Sequence, residues 1–175
     1  MRSFVAVEVT DAGALERIAS VQRCLAGWGR QVGAENLHFT LAFLGEIDDA
    51  AAAAAGRALG SVSFEPFTVL FRGVGAFPSA KSPRVVWAGV DEKGGGALAA
   101  LARTVCSALG VSPDIRGRPH LTMLRIGARK DMRDALGGLG GEELGSQRVD
   151  HVKLKKSVLT RQGPVYSDLA EVGAA

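Results

Sequence analysis

Two short stretches of this chain carry the same polar pair. Residues 37 to 45 read Leu-His-Phe-Thr-Leu-Ala-Phe-Leu-Gly, and residues 119 to 127 read Pro-His-Leu-Thr-Met-Leu-Arg-Ile-Gly. His, Thr and Gly coincide at a constant offset of 82, and Phe39/Leu121, Leu41/Met123 and Leu44/Ile126 keep apolar character. Residues i and i+2 of a strand share a face, about 6.6–7 Å apart along it. His38 and Thr40 are thus expected on one side with the small Ala42, opposite a buried face of Phe39, Leu41 and Phe43. His120 and Thr122 likewise oppose Leu121 and Met123. One such pair is most often a hydrogen-bonded structural detail. Its recurrence in the same local context points to a site.

If an approximate two-fold axis relates the copies, the imidazoles face each other across one cleft. An in-line displacement at phosphorus places the attacking and leaving oxygens on opposite sides of the reacting atom. A neutral imidazole can take the proton from one while an imidazolium protonates the other, since histidine holds both forms near neutrality. The Thr40 and Thr122 hydroxyls can donate to the non-bridging oxygens, where charge must be held. This chemistry calls for no metal and no cofactor, and no clustered carboxylates flank either motif. His151 lacks a Thr partner and reads as incidental. A three-His zinc site with His38, His120 and His151 has no ligand spacing to recommend it.

The elements that must carry the motifs also come in pairs. Phe4–Val9 and Val85–Val90 are short β-rich runs. Each precedes a helical stripe: Ala14, Ile18, Val21 and Leu25 after Thr10 or Asp11 as N-cap, then Leu98, Leu101, Val105 and Leu109 ending at Gly110. After the motifs come weaker helices over Asp48–Leu59 and Lys130–Leu136, then β-like segments over Phe64–Val74 and Val149–Leu159. Phe77–Pro83 and the Gly-rich Gly137–Gly145 read as loops. The order is β-α-β-α-β, twice. We expect one domain over residues 1–175, its two lobes contributed by about 1–82 and 83–175.

Composition narrows the class. With 175 residues, 47% hydrophobic and 22% charged, the chain is globular rather than disordered. Two cysteines, Cys24 and Cys106, exclude a disulfide scaffold and are assigned to helix packing. The first residues are not expected to form a signal peptide, and no apolar run approaches the roughly 18 residues of a membrane span. A cytoplasmic monomer without membrane partners is the expectation. A net charge of +3 is too small to announce a nucleic-acid protein. Arg148, Lys153, Lys155, Lys156 and Arg161 form a basic run read as a solvated face, and Arg116, Arg118 and Arg125 flank the second motif.

At this point the chain resembles the two-histidine (2H) phosphoesterase superfamily, and within it the RNA 2′,3′-cyclic phosphodiesterases, also described as 2′–5′ RNA ligases. Besides His38-Phe39-Thr40-Leu41 and His120-Leu121-Thr122-Met123, the resemblance rests on Arg2–Val9, Asn36-Leu37-His38 through Gly45-Glu46, Phe77-Pro78 through Val85-Val86-Trp87, and Gly163-Pro164-Val165-Tyr166. It implies an α+β fold of two pseudo-symmetric lobes, each an antiparallel sheet backed by helices, with the active-site groove between them. It also implies His38 as proton donor, His120 as proton acceptor, and Arg125 as a phosphate ligand. Strict strand parity places Arg125 on the face opposite His120, so that role requires a bulge or a strand end. The implied substrates are RNA ends or small cyclic nucleotides, hydrolysed to a 2′-phosphate. The same site run in reverse would make a 2′–5′ linkage, and a binding module without turnover is the reading outside the enzyme class.

Overall fold

The computed structural model describes residues 1–113, 118–128 and 130–175; Arg116 lies outside them. The chain runs β1 (Arg2–Glu8), α1 (Ala12–Cys24), β2 (Arg30–Gln31), a 3-10 turn (Ala34–Asn36), β3 (His38–Glu46), α2 (Asp49–Gly60), β4 (Phe67–Phe77) and β5 (Val85–Val90). It continues through α3 (Glu92–Leu109), β6 (Leu121–Arg125), α4 (Arg133–Leu136), β7 (Glu143–Val149), β8 (His151–Thr160) and β9 (Gly163–Gly173). The strands form two antiparallel sheets, ordered β3-β1-β8-β9 and β2-β6-β5-β4-β7, backed by helices in an α+β fold. No helix among the described residues is long and apolar enough to cross a membrane.

The helices form where the stripes place them. Asp11 caps α1 by accepting a bond from the Ala14 N–H, and Ala14, Ile18 and Val21 are buried. Asp91 caps α3, and Gly110 ends it in the left-handed conformation at φ 66°, which favours glycine. Expectation and structure part company in the second half. The Val149–Leu159 segment is two strands, β7 and β8, separated by Asp150, and β7 begins inside the Gly-rich stretch. Glycine there signals a loop by composition, but Leu144, Gln147 and Val149 turn inward and order it.

The sheets do not divide the chain at residue 83. β4, from the first half, pairs with β5 and β7, whereas β8 and β9, from the second, complete the sheet of β1 and β3. Both strands are held by burial: β4 contributes Val69, Phe71 and Val74 and β8 contributes Val152 and Leu154 to the core, with α3 packed on β4 and α2 on β8. The sheets meet in the interior, where Phe39 of β3 stacks on Phe71 of β4 at 5.8 Å and 11°. Phe39 lies between His38 and Thr40 on the opposite face, so this contact anchors the first motif from behind.

Candidate active site

Both motif histidines line one cleft between the sheets, together with Thr40, Thr122 and Arg125. Each imidazole is held by the same local bond. His38 Nδ1 lies 2.7 Å from the Asn36 carbonyl, and His120 Nδ1 lies 3.0 Å from the Arg118 carbonyl. A carbonyl can only accept, so Nδ1 carries the proton in both rings and Nε2 is left for a ligand. Each ring also meets an aromatic edge: Tyr166 on His38 at 5.3 Å and 86°, Phe77 on His120 at 5.0 Å and 87°. Phe4 packs on His38 at 5.0 Å.

Strand parity fails in both motifs at the same place. Val5 and Ala6 pair with Ala42 and Thr40, leaving Leu41 as an extra residue. Val86 and Trp87 pair with Leu124 and Thr122, leaving Met123 extra. These are β-bulges, and each reverses the alternation that follows it. Leu41 and Ala42 are both buried, as are Met123 and Leu124. Ala42 therefore does not sit beside His38, and Phe43 leaves the buried face to line the cleft with 64% of its surface exposed. The second bulge brings Arg125 round to the His120 side, as a phosphate ligand would require. Phe43 and Arg125 are separated by the same 82 residues as the histidines, so they are counterparts.

Helices fasten both bulges. Gln22 of α1, buried within the apolar stripe, donates to the Met123 carbonyl at 2.9 Å and to the Val32 carbonyl at 2.9 Å. Cys106 of α3 directs its thiol to the Leu41 carbonyl at 3.6 Å, and burial raises its pKa. Cys106 thus packs as expected, but Cys24 is exposed at the end of α1 and does not. A polar residue among Ile18, Val21 and Leu25 was the available signal for Gln22.

The electrostatics of the two histidines differ. Beneath His38, Lys153 bonds Glu8 at 2.8 Å and Asp168 at 2.9 Å, and Lys155 bonds the second oxygen of each carboxylate. Lys155 is only 4% exposed, so the basic run is not a solvated face here. Its alternate residues turn toward Glu8, the cross-strand partner of His38. Burial would raise the Glu8 carboxyl, but the hydrogen bonds from Lys153 and Lys155 hold it below the usual range. Burial lowers the His38 pKa; the bond to Asn36 opposes this, the charges of Lys155 and Arg125 reinforce it, and Glu8 opposes it weakly. His151 is elsewhere, exposed and 2.8 Å from Asp150.

Known proteins resemble this chain in sequence and in fold. A family model described as LigT like Phosphoesterase matches residues 7–87. A protein of Archaeoglobus fulgidus named RNA 2′,3′-cyclic phosphodiesterase is 40% identical over 97% of this chain and 98% of its own. One of the same name from Aeropyrum pernix is 41% identical over 91% and 96%. Among solved structures, E. coli LigT in apo form superposes with TM-score 0.79 at 26% identity, over 99% of this chain and 96% of that one. E. coli LigT complexed with 3′-AMP gives TM-score 0.78 with the same identity and coverage. Two lobes facing each other through matched histidines, with relatives alike over nearly their whole length, place this chain in the LigT-like phosphoesterase family.

Proposed function

We propose that the protein opens RNA 2′,3′-cyclic phosphate ends with water. His120 Nε2 takes a proton from water as its oxygen attacks phosphorus. The P–O3′ bond breaks, and His38 Nε2–H protonates the departing 3′ oxygen, leaving a 2′-phosphate. The assignment of His38 as acid and His120 as base follows the family resemblance. Thr40, Thr122 and Arg125 hold the non-bridging oxygens. Burial and the charges of Lys155 and Arg125 favour the neutral form of His38. An arriving phosphate anion offsets that field and lets the ring carry the proton it donates. No step requires a metal ion.

The observation that carries this reading is the pair of Nδ1-to-carbonyl bonds, which leave both Nε2 atoms available in one cleft. The names of the relatives support the cyclic phosphate, and the 3′-AMP complex of E. coli LigT supports a nucleotide. The cleft, about 2190 Å³, exceeds the roughly 300–1,000 Å³ of small-molecule sites, which suits an RNA end. Phe43 offers an exposed ring on which a base can stack. The test is incubation with a cyclic-phosphate-ended RNA in excess EDTA, followed by phosphorus NMR of the product. A 2′-phosphomonoester is expected; a 3′-phosphate, or turnover abolished by the chelator, would overturn the proposal.

A further inference from the structure

Arg30 and Arg125 are direct cross-strand partners between β2 and β6, and both are exposed in the cleft. Like charges placed directly opposite on a sheet destabilise it. Among the described residues neither guanidinium has a carboxylate partner. Two adjacent guanidinium groups without carboxylate partners are suited to an anion, which they can bind through charge-assisted, forked bonds.

The reach of Arg30 adds a second observation. Its backbone belongs to the sheet of His120, yet its guanidinium lies against Gly163, which begins β9 in the sheet of His38. Gly163 adopts φ 122°, a left-handed conformation, and a Cβ there would overlap the guanidinium. Beside it the Asn36 side chain donates to the Pro164 carbonyl at 3.3 Å, tying the segment before His38 to the same hairpin. Arg30 therefore spans the two walls of the cleft, next to the arginine that the second bulge aims at the reacting phosphate.

We propose that Arg30 binds a second phosphate, the group attached to the 5′ oxygen of the nucleotide whose cyclic phosphate is opened. The site thereby selects substrates carrying a phosphate on each side of the terminal nucleoside: an RNA end or a 5′-phosphorylated cyclic nucleotide. This rests on the cyclic phosphodiesterase reading above. It makes Arg30 a specificity residue, distinct from Arg125 at the reacting centre.

Three substrates test it: a nucleoside 2′,3′-cyclic phosphate, the same compound bearing a 5′-phosphate, and a dinucleotide ending in a cyclic phosphate. The wild-type protein should favour the second and third in kcat/KM. Arg30→Ala should lower that preference by about tenfold, and Arg30→Lys by less, because a lysine keeps the charge and loses the fork. For the dinucleotide, the slope of log kcat/KM against log salt should become shallower by about 0.7 in Arg30→Ala, the value for one single-strand phosphate contact. A preference unchanged in Arg30→Ala, including an equal loss on all three substrates, overturns the proposal and leaves Arg30 as a prop for the hairpin. A wild-type protein that prefers none of the three overturns it too. Failure to turn over any of them would instead remove the cyclic-phosphate reading on which it stands.

Discussion

The two lobes use one backbone device and fill it differently. Each has a histidine tethered through Nδ1, a threonine two residues on, and a bulge immediately after. In the first lobe the bulge delivers Phe43 to the cleft; in the second it delivers Arg125. His38 stands over a charged quartet of Glu8, Lys153, Asp168 and the buried Lys155, while its counterpart leans on Phe77. Backbones of like shape therefore present different chemical groups to one cleft, as the proposed asymmetric reaction would require. A repeat fixes where groups stand, and the side chains around each copy decide what they do.

The largest expected effect separates the two histidines. His38→Ala and His120→Ala should each reduce kcat by about 10²–10⁴. A substrate with a low-pKa leaving group should restore turnover to His38→Ala only, because such a group departs without an acid. Rescue of His120→Ala instead would exchange their roles.

The bulge-borne residues should differ in kind. Arg125→Ala should weaken every phosphate substrate by about one to two orders of magnitude, the worth of a charge-assisted contact. Phe43→Ala should cost about 1–3 kcal/mol in nucleotide binding while sparing a cyclic phosphate that lacks a base. Equal losses on both probes would contradict a stacking role. The fasteners should be unequal as well. Gln22→Leu leaves the buried Met123 carbonyl without its side-chain donor and should cost about 1–3 kcal/mol in denaturant unfolding. Cys106→Ala, which removes only a weak donor, should cost less.

The smallest effect is on pH. Lys155→Met removes a cation that disfavours protonated His38, so the His38 pKa should rise and the alkaline limb of the rate profile should move up. Glu8→Gln removes the opposing anion and should move that limb down. Shifts in the same direction would show that the quartet acts only through packing.

The site was more legible than the fold around it. His-x-Thr is readable because two polar side chains recur at fixed spacing on an apolar strand, and both copies can be found by offset alone. Asp11 and Gly110 were equally readable, since caps act locally. Phe43 was not: a bulge leaves no composition of its own, and a phenylalanine between Ala42 and Leu44 looks like core. Lys155 was misread for a related reason, because its burial depends on Glu8, 147 residues away. The strand exchange was invisible too, since periodicity identifies a strand without naming its neighbour.

That exchange has a mechanical consequence. The chain passes from one wall of the cleft to the other between β1 and β2, back before β3, across again before β4, and returns at Asp150. Among the described residues, four crossings sew the walls together rather than one. Any relative movement of the walls has to strain all four connections at once.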